Sequence, residues 1–129
     1  MLVPGRSLAG VRLGDTAARV RTQLGTDYGL CRGCATTTWY FTYRRFDDKG
    51  LAVELTRGRV SAVYTLWQPP GWIRTTRVTL GSPEERVGAA ITVTCTGYDA
   101  LVKGTSVYFV VDGKLWGFGL FPRRASPCR

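Results

Sequence analysis

Histidine is absent from the 129 residues, which removes histidine-based triads, Cys-His dyads and every His-ligated metal site. Asparagine is also missing, isoleucine occurs only at Ile73 and Ile91, and arginine outnumbers lysine 15 to 3. Codon bias in a GC-rich genome produces that composition without selection for arginine. No apolar run approaches the roughly 20 residues needed to cross a bilayer, and Met1-Leu2-Val3-Pro4-Gly5-Arg6 lacks the apolar stretch of a secretory signal. The chain as given therefore reads as soluble. With 44% hydrophobic and 21% charged residues it lies outside the disordered range, and its length suits one domain that buries about two thirds of its unfolded surface.

The net charge of +9 arises from 18 basic against 9 acidic residues and draws the surface toward anionic partners. The basic residues are dispersed, with Arg44-Arg45 and Arg123-Arg124 the longest runs. Four cysteines, Cys31, Cys34, Cys95 and Cys128, suit a disulfide framework and an oxidising compartment. The favoured pairing is Cys31 with Cys34, a clip in a Gly-rich loop, and Cys95 with Cys128, which pins the C-terminal segment by closing a loop of about 34 residues. A redox Cys-x-x-Cys opens a helix, whereas Cys34 is followed by the strand-like Ala35-Thr36-Thr37-Thr38-Trp39-Tyr40. A four-thiolate zinc site lacks its second Cys-x-x-Cys.

The chain is written twice. Residues Leu8 to Leu24 lie over Thr75 to Ile91 without a gap: Val11 matches Val78, Leu13 Leu80, Gly14 Gly81, Arg19 Arg86, Val20 Val87 and Leu24 Ile91. Gly50 to Val60 likewise resembles Gly104 to Leu115 with one residue more in the second copy. Val-x-Leu-Gly followed by Asp15 or Ser82 predicts a helix start. Ser82 is the better cap, with Pro83 at the first helical position and Glu84 and Glu85 in the first turn. Each helix runs roughly 10 residues, with Ala17, Val20 and Leu24 on one stripe and Val87, Ala90 and Ile91 on its counterpart.

Hairpins turning at Arg57-Gly58 and Asp112-Gly113 supply the sheet. Strict alternation puts Leu51, Val53, Leu55, Val60, Ala62 and Tyr64 on the core side of the first, with Val63 and Trp67 outside. In the second it sets Phe109 opposite Trp116 and Val107 opposite Phe118 in the core, leaving Tyr108, Val110, Leu115, Gly117 and Gly119 on the reverse face. Trp39 to Arg45 and Tyr98 to Lys103 add one strand ahead of each hairpin, and Gln68-Pro69-Pro70-Gly71 marks the junction. The expected fold is α+β: two tandem repeats, 1–68 and 69–129, each a short capped helix packed on an antiparallel β-meander, in one compact unit.

This order, with Val-x-Leu-Gly-(Asp/Ser)-x-x-x-x-Val, resembles the beta-lactamase-inhibitor-protein-like superfamily, which includes the outer-membrane assembly lipoprotein BamE (SmpA/OmlA) and tandem-repeat inhibitors secreted by actinobacteria. The likeness covers residues 8 to 121. It implies a secreted or envelope-associated, non-enzymatic, disulfide-containing protein with sheets exposed for binding. The chain departs from the pattern in having no cysteine just before the first repeat to carry a lipid, and no counterpart of the inhibitors' binding loops, so beta-lactamase inhibition is not implied.

Most of the large rings belong in the core. Alternation turns Trp67 and Tyr108 outward, and Tyr40 and Trp72 join them as candidates. Beside Arg44, Arg59 and Arg74 they form the composition of a protein-binding hot spot. Arg44, Arg45, Arg59, Arg123 and Arg124 are the alternative grip, on nucleic acid or an anionic envelope polymer. Among the acids, only Glu54 and Asp99 lack a local structural job, and no catalytic constellation, metal site, cofactor loop or phosphate-binding loop is expected.

Overall fold

The computed structural model describes residues 2–42, 50–65 and 80–129. A hairpin of β1 (Leu2–Val3) and β2 (Ser7–Leu8) leads to one helix, α1 (Ala17–Leu24). An eight-stranded antiparallel sheet follows, built from β3 (Gly29–Leu30), β4 (Thr37–Thr42), β5 (Gly50–Thr56), β6 (Arg59–Thr65), β7 (Ile91–Cys95), β8 (Tyr98–Lys103), β9 (Ser106–Val111) and β10 (Lys114–Leu120). Its order, β3-β4-β5-β6-β10-β9-β8-β7, sets two four-stranded meanders side by side, joined at their last strands. Among the described residues the chain is thus mainly sheet with a single α-helix, which overturns the expectation of two helix-capped α+β units.

The reason lies in one glycine. Gly88 adopts φ +79° and ends the second element after the single 3-10 turn Glu84–Val87, whose preceding Pro83 makes no side-chain cap. At the matching position the first copy has Arg21, so α1 runs on to Leu24 and stops at Gly25, φ +93°. Residues 91 to 95 then form β7, and Ile91, expected on a helical stripe, is 71% exposed on that strand. The cap of α1 is Thr16, whose hydroxyl accepts from the Arg19 amide at 3.2 Å; Asp15 instead accepts from the Arg12 amide at 2.9 Å.

Three hydrogen bonds that tie each meander to the segment before it nevertheless correspond. Gly14 donates to Val60 and Val60 to Asp15, as Gly81 donates to Leu115 and Leu115 to Ser82; Ala17 donates to Gly58 as Glu84 does to Gly113. Both hairpins turn as the sequence predicts, with positive φ at both central residues, +53° and +76° at Arg57-Gly58 and +51° and +73° at Asp112-Gly113. This two-residue geometry matches strand twist.

Each hairpin also carries the same bulge. Glu54 pairs with Ala62 and Leu55 with Val60, leaving Ser61 over; Phe109 pairs with Gly117 and Val110 with Leu115, leaving Trp116 over. An extra residue reverses facing along the rest of its strand. Val63, Tyr108, Val110 and Leu115 are therefore in the core, against the alternation reading, while Ala62, Tyr64, Val107 and Phe109 belong to the opposite face.

Both faces are covered. Leu2, Leu8 and Val11, Val20 of α1 and Val87 of the 3-10 turn close over Trp39, Phe41, Val53, Tyr108 and Phe118. The seam between the meanders is held by Thr65, 1% exposed, whose hydroxyl accepts from the Phe118 amide at 2.9 Å and donates to its carbonyl at 3.3 Å. The disulfides are Cys31–Cys34 and Cys95–Cys128, as the sequence favoured, and no helix among the described residues is long and apolar enough to cross a membrane.

Candidate functional site

Of the residues expected to form a partner-binding patch, the three that the structure describes, Tyr40, Arg59 and Tyr108, lie apart. Tyr108 is 6% exposed and packs edge-on against Phe118, so its outward placement is corrected: the bulge at Trp116 sets it opposite Phe118 in the core. Tyr40, on β4, is half-buried on the other face, with its hydroxyl 3.8 Å from Cys34 Sγ. Arg59 is exposed at the start of β6, but its Nη1 donates to the Gly14 carbonyl at 2.9 Å and steadies the loop before α1. Arg44, Arg45, Trp67, Trp72 and Arg74 lie outside the described residues.

The sheet face opposite α1 is covered by the chain's own C-terminal segment. Past β10, Phe121 turns back over Gly119 and stacks on Tyr64, ring centres 5.6 Å apart. A Cβ at Gly119 would stand 2.6 Å from the Phe121 ring, so only glycine admits this roof. Cys128 is tied to Cys95, and Tyr98 Oη accepts from the Arg129 amide at 2.7 Å and donates to its carbonyl at 3.0 Å. The Arg129 guanidinium forks onto the Glu54 carboxylate, with Nη2 to Oε1 at 3.0 Å, and lies 5.0 Å from the Phe121 ring centre.

Burial, reinforced by the neighbouring Glu54 carboxylate, pushes the Tyr64 hydroxyl well above the ordinary tyrosine range, and burial alone raises Tyr108. A raised acid stays protonated in the folded chain while its unfolded counterpart ionises above about pH 10, so folding stability is intact below that pH and falls above it. Absorbance at 295 nm should accordingly show these two of the six tyrosines ionising only as the protein unfolds. Full titration of all six while the near-UV circular dichroism remains native would contradict this.

Glu54 and Asp99, the two acids without a local structural job in the sequence, do not meet. Glu54 lies on β5 on the face of Ala52, whereas Asp99 lies on β8 on the face of Leu101, four strand spacings away. At about 4.8 Å per strand that is ~19 Å across opposite faces, beyond any glycosidase separation. Among the described residues no three His, Cys, Asp or Glu side chains gather as a metal site, and all four cysteines are in disulfides. Cys31-Arg32-Gly33-Cys34 joins β3 to β4 rather than opening a helix, so it lacks the helix N-terminus that activates redox thiols.

The arginines are the unspent chemistry. Among the described residues Glu54–Arg129 is the one ion pair, and Arg123 and Arg124 are exposed side by side in the C-terminal segment. Two others, Arg6 and Arg12, line a cavity of about 370 Å³ with Gly5, Leu13, Thr105 and Leu120. Sequence reading passed over this cavity because its walls come from opposite ends of the chain, and no local pattern reports that. The partner of Glu54 did leave a trace, since a glutamate without a local job inside a strand calls for a cation. A scan against protein-family models finds no match, and neither does a search of curated proteins or of solved structures.

Proposed function

We propose that the protein is a non-enzymatic binding protein of an oxidising compartment, secreted or held at the cell envelope, which recognises an acidic protein partner through its exposed arginines. One observation carries the reading: in a chain of net charge +9, no described arginine except Arg129 meets a carboxylate among the described residues. Exposed guanidinium groups on the turns, the helix and the C-terminal segment favour pairing with carboxylates across an interface and speed encounter with an acidic surface. The two disulfides support the compartment. The matched hydrogen bonds of the two meanders support reading the two halves of the sheet as similar units.

A second reading has its own observation in Arg123-Arg124, adjacent and exposed: a nucleic acid or anionic polymer as partner. Heparin chromatography separates the two. Polyanion binding releases counterions and weakens steeply with salt, so retention beyond about 0.5 M sodium chloride that is lost in Arg123→Gln/Arg124→Gln supports the second reading. Elution near 0.2 M, unaltered in that variant, supports a protein partner.

A further inference from the structure

We propose that the cavity between the β1–β2 hairpin and the start of β9 is a binding site for a phosphate monoester. It holds about 370 Å³ and is lined by Gly5, Arg6, Arg12, Leu13, Thr105 and Leu120, a volume in the range of small-molecule sites. Both guanidiniums are exposed and neither meets a carboxylate among the described residues. The nearest acid in sequence, Asp15, spends one oxygen on the Arg12 backbone amide at 2.9 Å, closing the loop rather than neutralising the side chain. The cavity is thus dicationic, and a dianion balances it. A carboxylate satisfies one arginine fork, whereas a phosphate presents three terminal oxygens and engages two. The half-buried Thr105 supplies a hydroxyl, and the half-buried Leu13 offers an apolar wall to the carbon side of an ester.

The walls are held before any ligand arrives. The Gly5 amide donates to Ser106 Oγ at 2.7 Å across 101 positions of sequence, fixing the hairpin that carries Arg6 to the first residue of β9. On the far side the Phe121 amide donates to the Thr105 carbonyl at 3.0 Å. Preorganisation of this kind lowers the ordering cost of binding. The site requires no macromolecular partner, so it stands or falls separately from the function proposed above.

The phosphate can belong to a free small ester or to a phosphorylated side chain, and the test includes both. Amide spectra of the full chain are followed during titration with inorganic phosphate, glycerol 3-phosphate and O-phosphoserine, each against chloride at equal ionic strength. Saturable shifts at Gly5, Arg6, Leu13 and Thr105 are expected, with affinity at least tenfold weaker in Arg6→Gln/Arg12→Gln and within twofold of the parent in Arg123→Gln/Arg124→Gln. Preference for glycerol 3-phosphate identifies a free ester, and preference for phosphoserine a modified side chain. Shifts that do not saturate and spread over all surface arginines overturn the proposal, as does unchanged affinity in the double variant or binding of inorganic phosphate alone. If the double variant loses spectral dispersion, Arg12→Lys replaces it: the charge stays and the fork goes, so a several-fold weakening is expected and unchanged affinity is the contrary result.

Discussion

Removal of the Cys95–Cys128 bridge by paired substitution to alanine lowers the melting temperature by roughly 12–20 °C. The bridged residues are 33 positions apart, and loop-closure entropy for a ring of that size corresponds to about 4 kcal/mol, which a domain of this length registers at about 3–5 °C per kcal/mol. The effect is local in origin. Without the bridge, the segment that carries Phe121 and Arg129 over the second sheet face is retained by non-covalent contacts alone, the Phe121 ring, the Arg129–Glu54 pair and main-chain hydrogen bonds to Thr105 and Tyr98. The corresponding change at Cys31 and Cys34, three positions apart, closes a ring worth about 2 kcal/mol on the same model. Calorimetry of the two variants in oxidising buffer checks the ordering, and equal losses would show that the tail is not what the longer bridge protects.

Arg129→Met is the second large effect, a loss of about 2–3 kcal/mol. Glu54 is 6% exposed, so withdrawing its cation leaves a carboxylate buried among Tyr64 and Phe121. Breaking a wholly buried pair costs about 3–5 kcal/mol, and the figure is reduced here because the Arg129 side chain keeps 33% of its surface in water. The double variant Glu54→Leu/Arg129→Met recovers most of the loss, since it removes both the charge and its partner. Urea midpoints at neutral pH test this; a double variant no more stable than Arg129→Met would mean that the pair contributes through packing alone.

These two effects also show where a sequence stops being informative. The Cys31–Cys34 clip, both two-residue turns and the β8 strand were legible because each is decided within a few residues: positive φ at Arg57-Gly58 and Asp112-Gly113 needs nothing from elsewhere. The bulges at Ser61 and Trp116 were not. One unpaired residue in each hairpin inverted the faces, turning Tyr108 from a candidate contact into core and Ala62 and Tyr64 to the opposite side. The second helix failed on Gly88, a signal present in the chain but outweighed by the apolar spacing of Val87, Ala90 and Ile91. Residues 91 to 95, a neutral β-branched run that alternates cleanly, carried the signature of β7. The arginine-lined cavity and the Arg129–Glu54 pair are products of contacts 75 or more positions apart, for which local patterns carry no record.

The central claim, recognition of an acidic protein, is tested most directly by immobilising the oxidised protein and passing over it envelope and culture-supernatant fractions of its source, with eluates resolved by native mass spectrometry. The account predicts one acidic protein, bound in fixed stoichiometry and stripped by raised salt. Retention of nucleic acid or anionic polymer in place of any stoichiometric protein would contradict it.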